Sequence, residues 1–165
     1  MTPPVGIDEI RAVYGDIEVV AGRVVAPQWW EQENMVIVTD FPLVEPRRLY
    51  VHKLIAAPLR AALALCEAIG GYELRTIGCF NPRPKRSDPN QLSLHSFGIA
   101  ADLNAATNPP LVGCPPDDPR RKFDSGTFDM PEAWVNAFRS LGWTWGGDFE
   151  GRYFDPMHLQ YASGA

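Results

Sequence analysis

The stretch Ser93–Asp102, SLHSFGIAAD, sets a histidine and an aspartate seven positions apart with small and apolar residues between them. Imidazole and carboxylate are ligands that zinc favours, and a catalytic zinc site keeps three protein ligands and one open position. His95 and Asp102 can supply two of the three. Glycine at 98 and alanine at 100 and 101 fit a close turn in which bulky side chains would collide with an ion or its substrate. The chain has three histidines, and the one outside both this stretch and the apolar run around His52 is His158, in YFDPMHLQ, with Asp155 three positions before it. Spacing alone leaves two readings open. A lone histidine and aspartate at this distance also occur by chance, and a buried His95 satisfied by a nearby carboxylate accounts for them equally well.

Working outward, the pattern is that of mixed short elements. IDEIRAVYGD reads as a short helix stopped at Gly15, Ile17 to Val25 as a strand or hairpin arm, and NMVIVTDF as a strand. The strongest helical pattern runs over Arg48–Ile69, with Gly70-Gly71 as its end, Pro58 as a kink or break, and His52 as a surface or cap residue. YELRTIGCF reads as a strand and NPRPKRSDPNQ as a turn-rich loop. NPPLVGCPPDDPRRKFDSGT is long enough for a surface or lid loop. MPEAWVNAFRSLG carries Trp134, Phe138 and Leu141 on one helical stripe closed by Gly142. WTWGGDFEGRYFDPMHLQY predicts two short aromatic strands around a Gly-rich turn, with Trp143 and Trp145 in the core. Helices in separated places with short strands between them predict an α+β fold built on an antiparallel sheet.

Composition narrows the function. At 165 residues, 45% apolar and 21% charged, the chain reads as a single globular domain over 1–165. A net charge of −5 argues against binding a phosphate backbone, so no nucleic-acid partner is expected. No apolar run is long enough to span a bilayer, and the start, MTPPVGIDEI, has no visible signal peptide. Synthesis in the cytoplasm is therefore expected, with access to any exterior substrate by another route. Cys66, Cys79 and Cys114 form an odd, widely spaced set that suggests neither a disulfide framework nor a zinc ribbon.

SLHSFGIAADLN resembles the S-x-H-x-x-G-x-A-x-D signature of the M15 zinc peptidases. That family contains D-alanyl-D-alanine carboxypeptidases and dipeptidases and phage L-alanyl-D-glutamate endopeptidases. The tail WGGDFEGRYFDPMHLQ is similar to the family's closing segment, and GCFNPRPKR to the arginine-bearing loop that precedes the signature. The likeness runs over about residues 70–161, in the family's order. It implies a small antiparallel sheet flanked by helices, with a zinc site in a cleft on the sheet, as in hedgehog and D-Ala-D-Ala peptidase folds. It also implies one Zn2+ held by His95, Asp102 and His158, with Asp155 as general base and Arg83 as the arginine that stabilises the negative oxygen of the tetrahedral intermediate. Arg86 and Arg75 are the next candidates for that arginine.

Supporting roles are assigned to Ser93, which orients substrate or holds the ligand loop, and to Asp148. Asp148 reads either as an acceptor for a ligand imidazole N–H or as a turn residue. The dipeptidase branch carries Glu-x-Trp-His where this chain has Asp155-Pro156-Met157-His158, which resembles the phage endopeptidase branch. The expected activity is therefore cleavage of the peptidoglycan stem peptide by an endolysin-type L-alanyl-D-glutamate endopeptidase acting on the cell wall. A separate holin or targeting domain would give it access. A D-alanyl-D-alanine carboxypeptidase and a non-catalytic wall-binding or virion module are the alternatives.

Overall fold

The computed structural model describes residues 1–43, 48–86 and 88–164, so Ser87 of the turn-rich loop lies outside the described residues. The chain opens with α1 (Gly6–Tyr14), whose first turn carries Asp8 and Glu9 and whose Ile10 and Tyr14, one turn apart, enter the core. Gly15 ends it at φ 93°. A hairpin follows, β1 (Glu18–Val20) with β2 (Arg23–Val25), turning at Ala21 and Gly22, which both have positive φ. Next, α2 (Trp30–Asn34) leads into β3 (Met35–Val38), which pairs antiparallel with β4 (Leu49–His52).

The apolar run around His52 departs from its predicted form. Leu49–His52 is a strand because Val36 and Ile37 pair with Val51 and Tyr50, and that ladder overrides the helical spacing. A single 3-10 turn at Lys53–Ile55 then leads into α3 (Ala56–Ile69). Pro58 consequently falls in the first turn of α3, where a backbone N–H has no intrahelical partner, and it neither kinks nor breaks the helix. His52 is fully buried: its Nδ1 accepts from Leu54 N–H at 3.2 Å and its Nε2–H donates to Tyr14 O at 3.2 Å. Leu59, Ala62, Leu63 and Cys66 form the buried stripe of α3, and Gly70 closes it at φ 66°. Each buried leucine contributes about 1.5–3 kcal/mol.

The remaining elements are β5 (Ile77–Gly78), β6 (Ala100–Leu103), β7 (Leu111–Val112), α4 (Glu132–Ser140), β8 (Thr144–Trp145), β9 (Tyr153–Phe154) and β10 (His158–Gln160). α4 buries Trp134 and Phe138 while Leu141 stays half-buried. The aromatic tail forms three short strands instead of two. β8 pairs with β10, and β9 pairs with β7. The 108–127 stretch is thereby stitched down, not free as a lid. Arg121 fixes it further by donating to the carbonyls of Cys114, Gly147, Phe149, Gly151 and Tyr153.

The central sheet is antiparallel, in the order β5-β6-β10-β8, and the chain is α+β. Its register pairs His158 with Asp102, Gln160 with both Ala100 and Thr144, and Gly78 with Asp102. Side chains alternate across a strand, so these residues share one face. The other face carries Leu103, Ala101, Leu159 and Trp145, all buried in the core. Ala101 is therefore small for core packing, not for clearance around an ion.

Candidate metal centre

Three elements bring the three candidate donors together. Asp102 and His158 are cross-strand partners on β6 and β10, and His95 stands on the 3-10 turn Leu94–Phe97 just before β6. That turn ends in Gly98 at φ 66°, a left-handed position. A side chain there would collide with Met35 and with the His52 backbone nitrogen, whose N–H donates to Gly98 O at 3.0 Å. The glycine of the signature thus seats the turn against β4 and does not make room for an ion.

The donor atoms form a nearly equilateral triangle. His95 Nε2 lies 3.1 Å from Asp102 Oδ1, His158 Nδ1 lies 3.1 Å from the same oxygen, and the two nitrogens are 3.2 Å apart. Zinc–nitrogen bonds of 2.0–2.1 Å in a tetrahedron place neighbouring ligand atoms about 3.3 Å apart. The edges fit. The outer ring nitrogens fix both tautomers. His95 Nδ1–H donates to Cys79 O at 2.7 Å. His158 Nε2–H donates to Gln160 Oε1 at 3.0 Å, and the Gln160 amide is oriented by its own donation to Ala162 O at 3.2 Å. Both inward nitrogens therefore present lone pairs to a carboxylate oxygen. Three acceptors facing one another are stable only with a cation between them.

Electrostatics agree. Burial works against charge on Asp102, but the adjoining His158 and His95 hold its carboxyl below the ordinary range. Burial alone would lower the His158 pKa, yet the hydrogen bond and charge of Asp102 outweigh it and raise it.

A cleft of about 610 Å³ opens beside the triangle. Asp155 and His158 line it, with Ser93, Phe149 and Tyr153. The Asp155 carboxylate is buried; Oδ2 accepts from Tyr153 O–H at 3.3 Å, and Oδ1 is buried with no partner. Burial, reinforced by the charge of Asp102 and opposed by His158, raises its pKa. Burial and the Asp155 charge push the Tyr153 hydroxyl up to about 12, so it stays a donor. Gly146 allows this packing. It accepts from Asp155 N–H at 3.1 Å, and a Cβ there would overlap the Asp155 carbonyl oxygen and come within 3.0 Å of the His158 Cβ.

Arg83, Lys85 and Arg86 give the cleft a cationic wall, and Asp148, Glu150 and Asp155 also line it. Arg83 Nε is buried without a partner. Ser96 ties its backbone to the ligand turn: Arg83 N–H donates to Ser96 Oγ at 2.9 Å and Ser96 Oγ–H donates to Arg83 O at 2.8 Å. Ser93 is buried on the cleft wall, and its backbone N–H donates to Arg83 O at 3.2 Å. Arg86 is exposed on the cleft rim, whereas Arg75 does not line the cleft and pairs with Glu73 at 3.0 Å. Asp148 also lines the cleft but does not serve an imidazole. It forms a two-pronged ion pair with Arg139 at 2.5 and 3.0 Å, and Gln160 and Cys79 O take the role considered for it.

Sequence reasoning passed over Gln160, Tyr153, Ser96 and Arg121. Gln160 and Tyr153 had a signal, since each stands two positions from His158 or Asp155 in strand-like sequence and so shares a face with it. Nothing local marked Ser96 or Arg121.

Three converging donors, an ionisable acid with a free oxygen and an open cleft make a candidate mononuclear metal centre of the hydrolytic kind. Residues 86–161 match a family model of the M15 peptidases described as D-alanyl-D-alanine carboxypeptidase. No curated protein and no solved structure matches the chain. The three donors and Asp155 all lie inside the matched segment, while Arg83 lies outside it.

Proposed function

We propose that this peptidase is a zinc-dependent peptidoglycan hydrolase of hedgehog/D-Ala-D-Ala-peptidase-like build. It cuts the stem peptide as an endolysin-type L-alanyl-D-glutamate endopeptidase acting on the cell wall. One observation carries the reading: Asp155, whose buried Oδ1 is an orphan acceptor, and Arg83, whose buried Nε is an orphan donor, line the same cleft as His158 of the His95–Asp102–His158 triangle. Amide hydrolysis needs a base for the attacking water and a donor for the oxygen that becomes negative. The triangle fits Zn2+, and an ion there would supply Lewis acidity that brings the pKa of water down to about 7.

The chain's own groups supply the rest. Asp155 accepts the proton of the attacking water and returns one to the leaving amine, with its carboxylate steered by Tyr153. Arg83 presents a guanidinium whose backbone is clamped to the ligand turn through Ser96, so donor and donor triangle move together. Arg86 and Lys85 extend the positive wall toward the carboxylates of an acidic stem peptide. Ser93 forms the floor beside them.

The aspartate in DPMH, resembling the endopeptidase branch, supports an internal cut. A D-alanyl-D-alanine carboxypeptidase is the second reading, favoured by the matched family's description and by a cationic wall that suits a terminal carboxylate. Digestion of purified peptidoglycan with zinc-loaded protein, followed by mass spectrometry of the products, separates them. New D-Glu or D-isoGln amines are expected; free D-Ala instead establishes the carboxypeptidase. Absence of any soluble product refutes both and leaves a wall-binding module.

A further inference from the structure

The cleft does not stop at its cationic wall. A second compartment of about 440 Å³ shares Lys85 and Gly164 with it, and each volume is in the range of a ligand pocket. Its walls come from outside the family segment on one side, Ile7 and Arg11 of α1 and Val19 of β1, and from Asn90 and Leu92 on the other. The N-terminal wall is bolted to the metal-bearing strand. Beyond β10, Ser163 N–H donates to Pro4 O at 3.0 Å, and Gly6 N–H donates to Ser163 O at 2.8 Å. Tyr14 O–H donates to Tyr161 O at 3.1 Å. Lys85, on the ridge between compartments, is fixed from below, with its Nζ donating to Gln91 Oε1 at 2.9 Å and its N–H to Gln91 O at 2.7 Å.

We infer that the two compartments form one substrate groove, and that the second, built by α1, β1 and the 90–92 segment, holds the part of an acidic peptide remote from the scissile bond. The inference rests on the function proposed above and adds the substrate's length and charge to it. The chemistry of the walls sets the ligand class. Arg11 and Lys85 offer two cations at its two sides, with Asp16 3.6 Å from Arg11 Nε and Asp88 as the counter-charge acting on Lys85. Asn90 brings an amide group suited to a peptide backbone. Ile7, Val19 and Leu92 give an apolar floor for an aliphatic side chain. A groove that continues past the cleft accommodates a chain longer than the residues that flank the scissile bond.

The test measures binding, by calorimetry, on zinc-loaded full-length protein carrying Asp155→Asn. Three probes are used: a short stem peptide with amidated ends, the same peptide lengthened by acidic residues on one side or the other of the scissile bond, and the lengthened peptide with its carboxylates amidated. One lengthened peptide is expected to bind about tenfold tighter than the short one. Adding Val19→Trp, which fills the compartment, should bring that ratio close to one. Adding Arg11→Gln, at a half-exposed site that folding tolerates, should abolish the preference for the acidic over the amidated form. No preference for either lengthened peptide, or a preference that survives both substitutions, overturns the inference. Cleavage of the short peptide by the wild-type protein reads the proposed activity separately. Cleavage without length preference sinks the groove alone, and length preference without cleavage sinks the activity alone.

Discussion

Arg121 makes the sharpest demand on the structure. Its guanidinium donates to five main-chain carbonyls and to no carboxylate, at 2.6 and 3.1 Å to Cys114 O, 2.8 Å to Phe149 O, 3.1 Å to Gly151 O, 3.2 Å to Tyr153 O and 3.3 Å to Gly147 O. It also lies over the Phe154 ring at 5.3 Å. Residues 148–155 bring Phe149, Tyr153 and Asp155 to the cleft, so one side chain holds the wall that carries the proposed base. Methionine at 121 keeps the bulk and removes every donor. A hydrogen bond from a charged donor contributes about 1.5–3 kcal/mol, but exposed carbonyls regain water, so a net loss of about 3–4 kcal/mol is expected. For a chain of this length that lowers Tm by roughly 6–16 °C. The candidate metal donors stand on β6, β10 and the Leu94–Phe97 turn, which Arg121 does not touch, so the proposed zinc stoichiometry should stay at about one. Turnover of peptidoglycan should fall about 10- to 100-fold through misplacement of the base. Lysine at 121 cannot span five carbonyls and should rescue little. Differential scanning fluorimetry, metal analysis and a turbidity assay read the three effects. A Tm within about 2 °C of wild type, or zinc lost in step with activity, would refute the reasoning.

Other outcomes follow from the same geometry. Asp155→Asn should keep zinc, lose about 10²–10⁴ in rate, and raise the Tm of the metal-free protein at neutral pH. The sign follows from a raised pKa: the folded carboxyl holds its proton more tightly than the unfolded one, so its charge weakens the fold as pH rises above the ordinary carboxylate range. Zinc binding should release protons and tighten with rising pH, because Asp102 raises the His158 pKa; identical calorimetric heats in buffers of different ionisation enthalpy would contradict this. Burial lowers His52 from 6.5 to about 4, so its contribution is complete above pH 6.5 and lost as pH falls toward 4. That is roughly 3 kcal/mol. Denaturant titrations of wild type and His52→Asn should differ in pH slope across that window, and parallel slopes would exclude His52. Gly146→Ala should cost about 2 kcal/mol or more, since its Cβ meets main chain and not a flexible side chain, and should weaken zinc retention.

Legibility in the sequence followed the range of the forces involved. α1, the β1–β2 hairpin and α4 were readable because stop glycines and apolar stripes act within a few residues. Leu49–His52 was misread because its three- and four-residue apolar spacing continues that of α3, while the ladder that makes it a strand lies in Met35–Val38. The three donor residues and Asp155 were visible through their short segments. Their supports were not, because Cys79 O, the Ser96–Arg83 clamp and the Arg121 cage are contacts between distant segments made by residue types that recur everywhere. Asp148 shows the converse. In WGGD it reads equally as an acceptor for a ligand imidazole and as a turn residue after Gly147, yet Arg139, nine positions earlier on α4, claims both carboxylate oxygens.

The triangle depends less on its donors than on the register that sets them opposite each other. His158 and Asp102 stand 56 positions apart and face one another only because Leu159 pairs with Ala101 and with Trp145 on the core side. A slip of one residue would turn the His158 imidazole into the core and Leu159 into the cleft, since successive side chains alternate between faces. The apolar row thus selects the single register in which both inward lone pairs meet the carboxylate. Ala101 is the adjustable member of that row. Ala101→Leu adds volume on the core face, where overpacking costs about 1–3 kcal/mol. It touches no donor, yet it should loosen zinc binding together with the fold, whereas a conservative change on the exposed Val112 of β7 should leave both intact. Zinc affinity that is indifferent to Ala101→Leu would show that the donors find one another without the sheet's register.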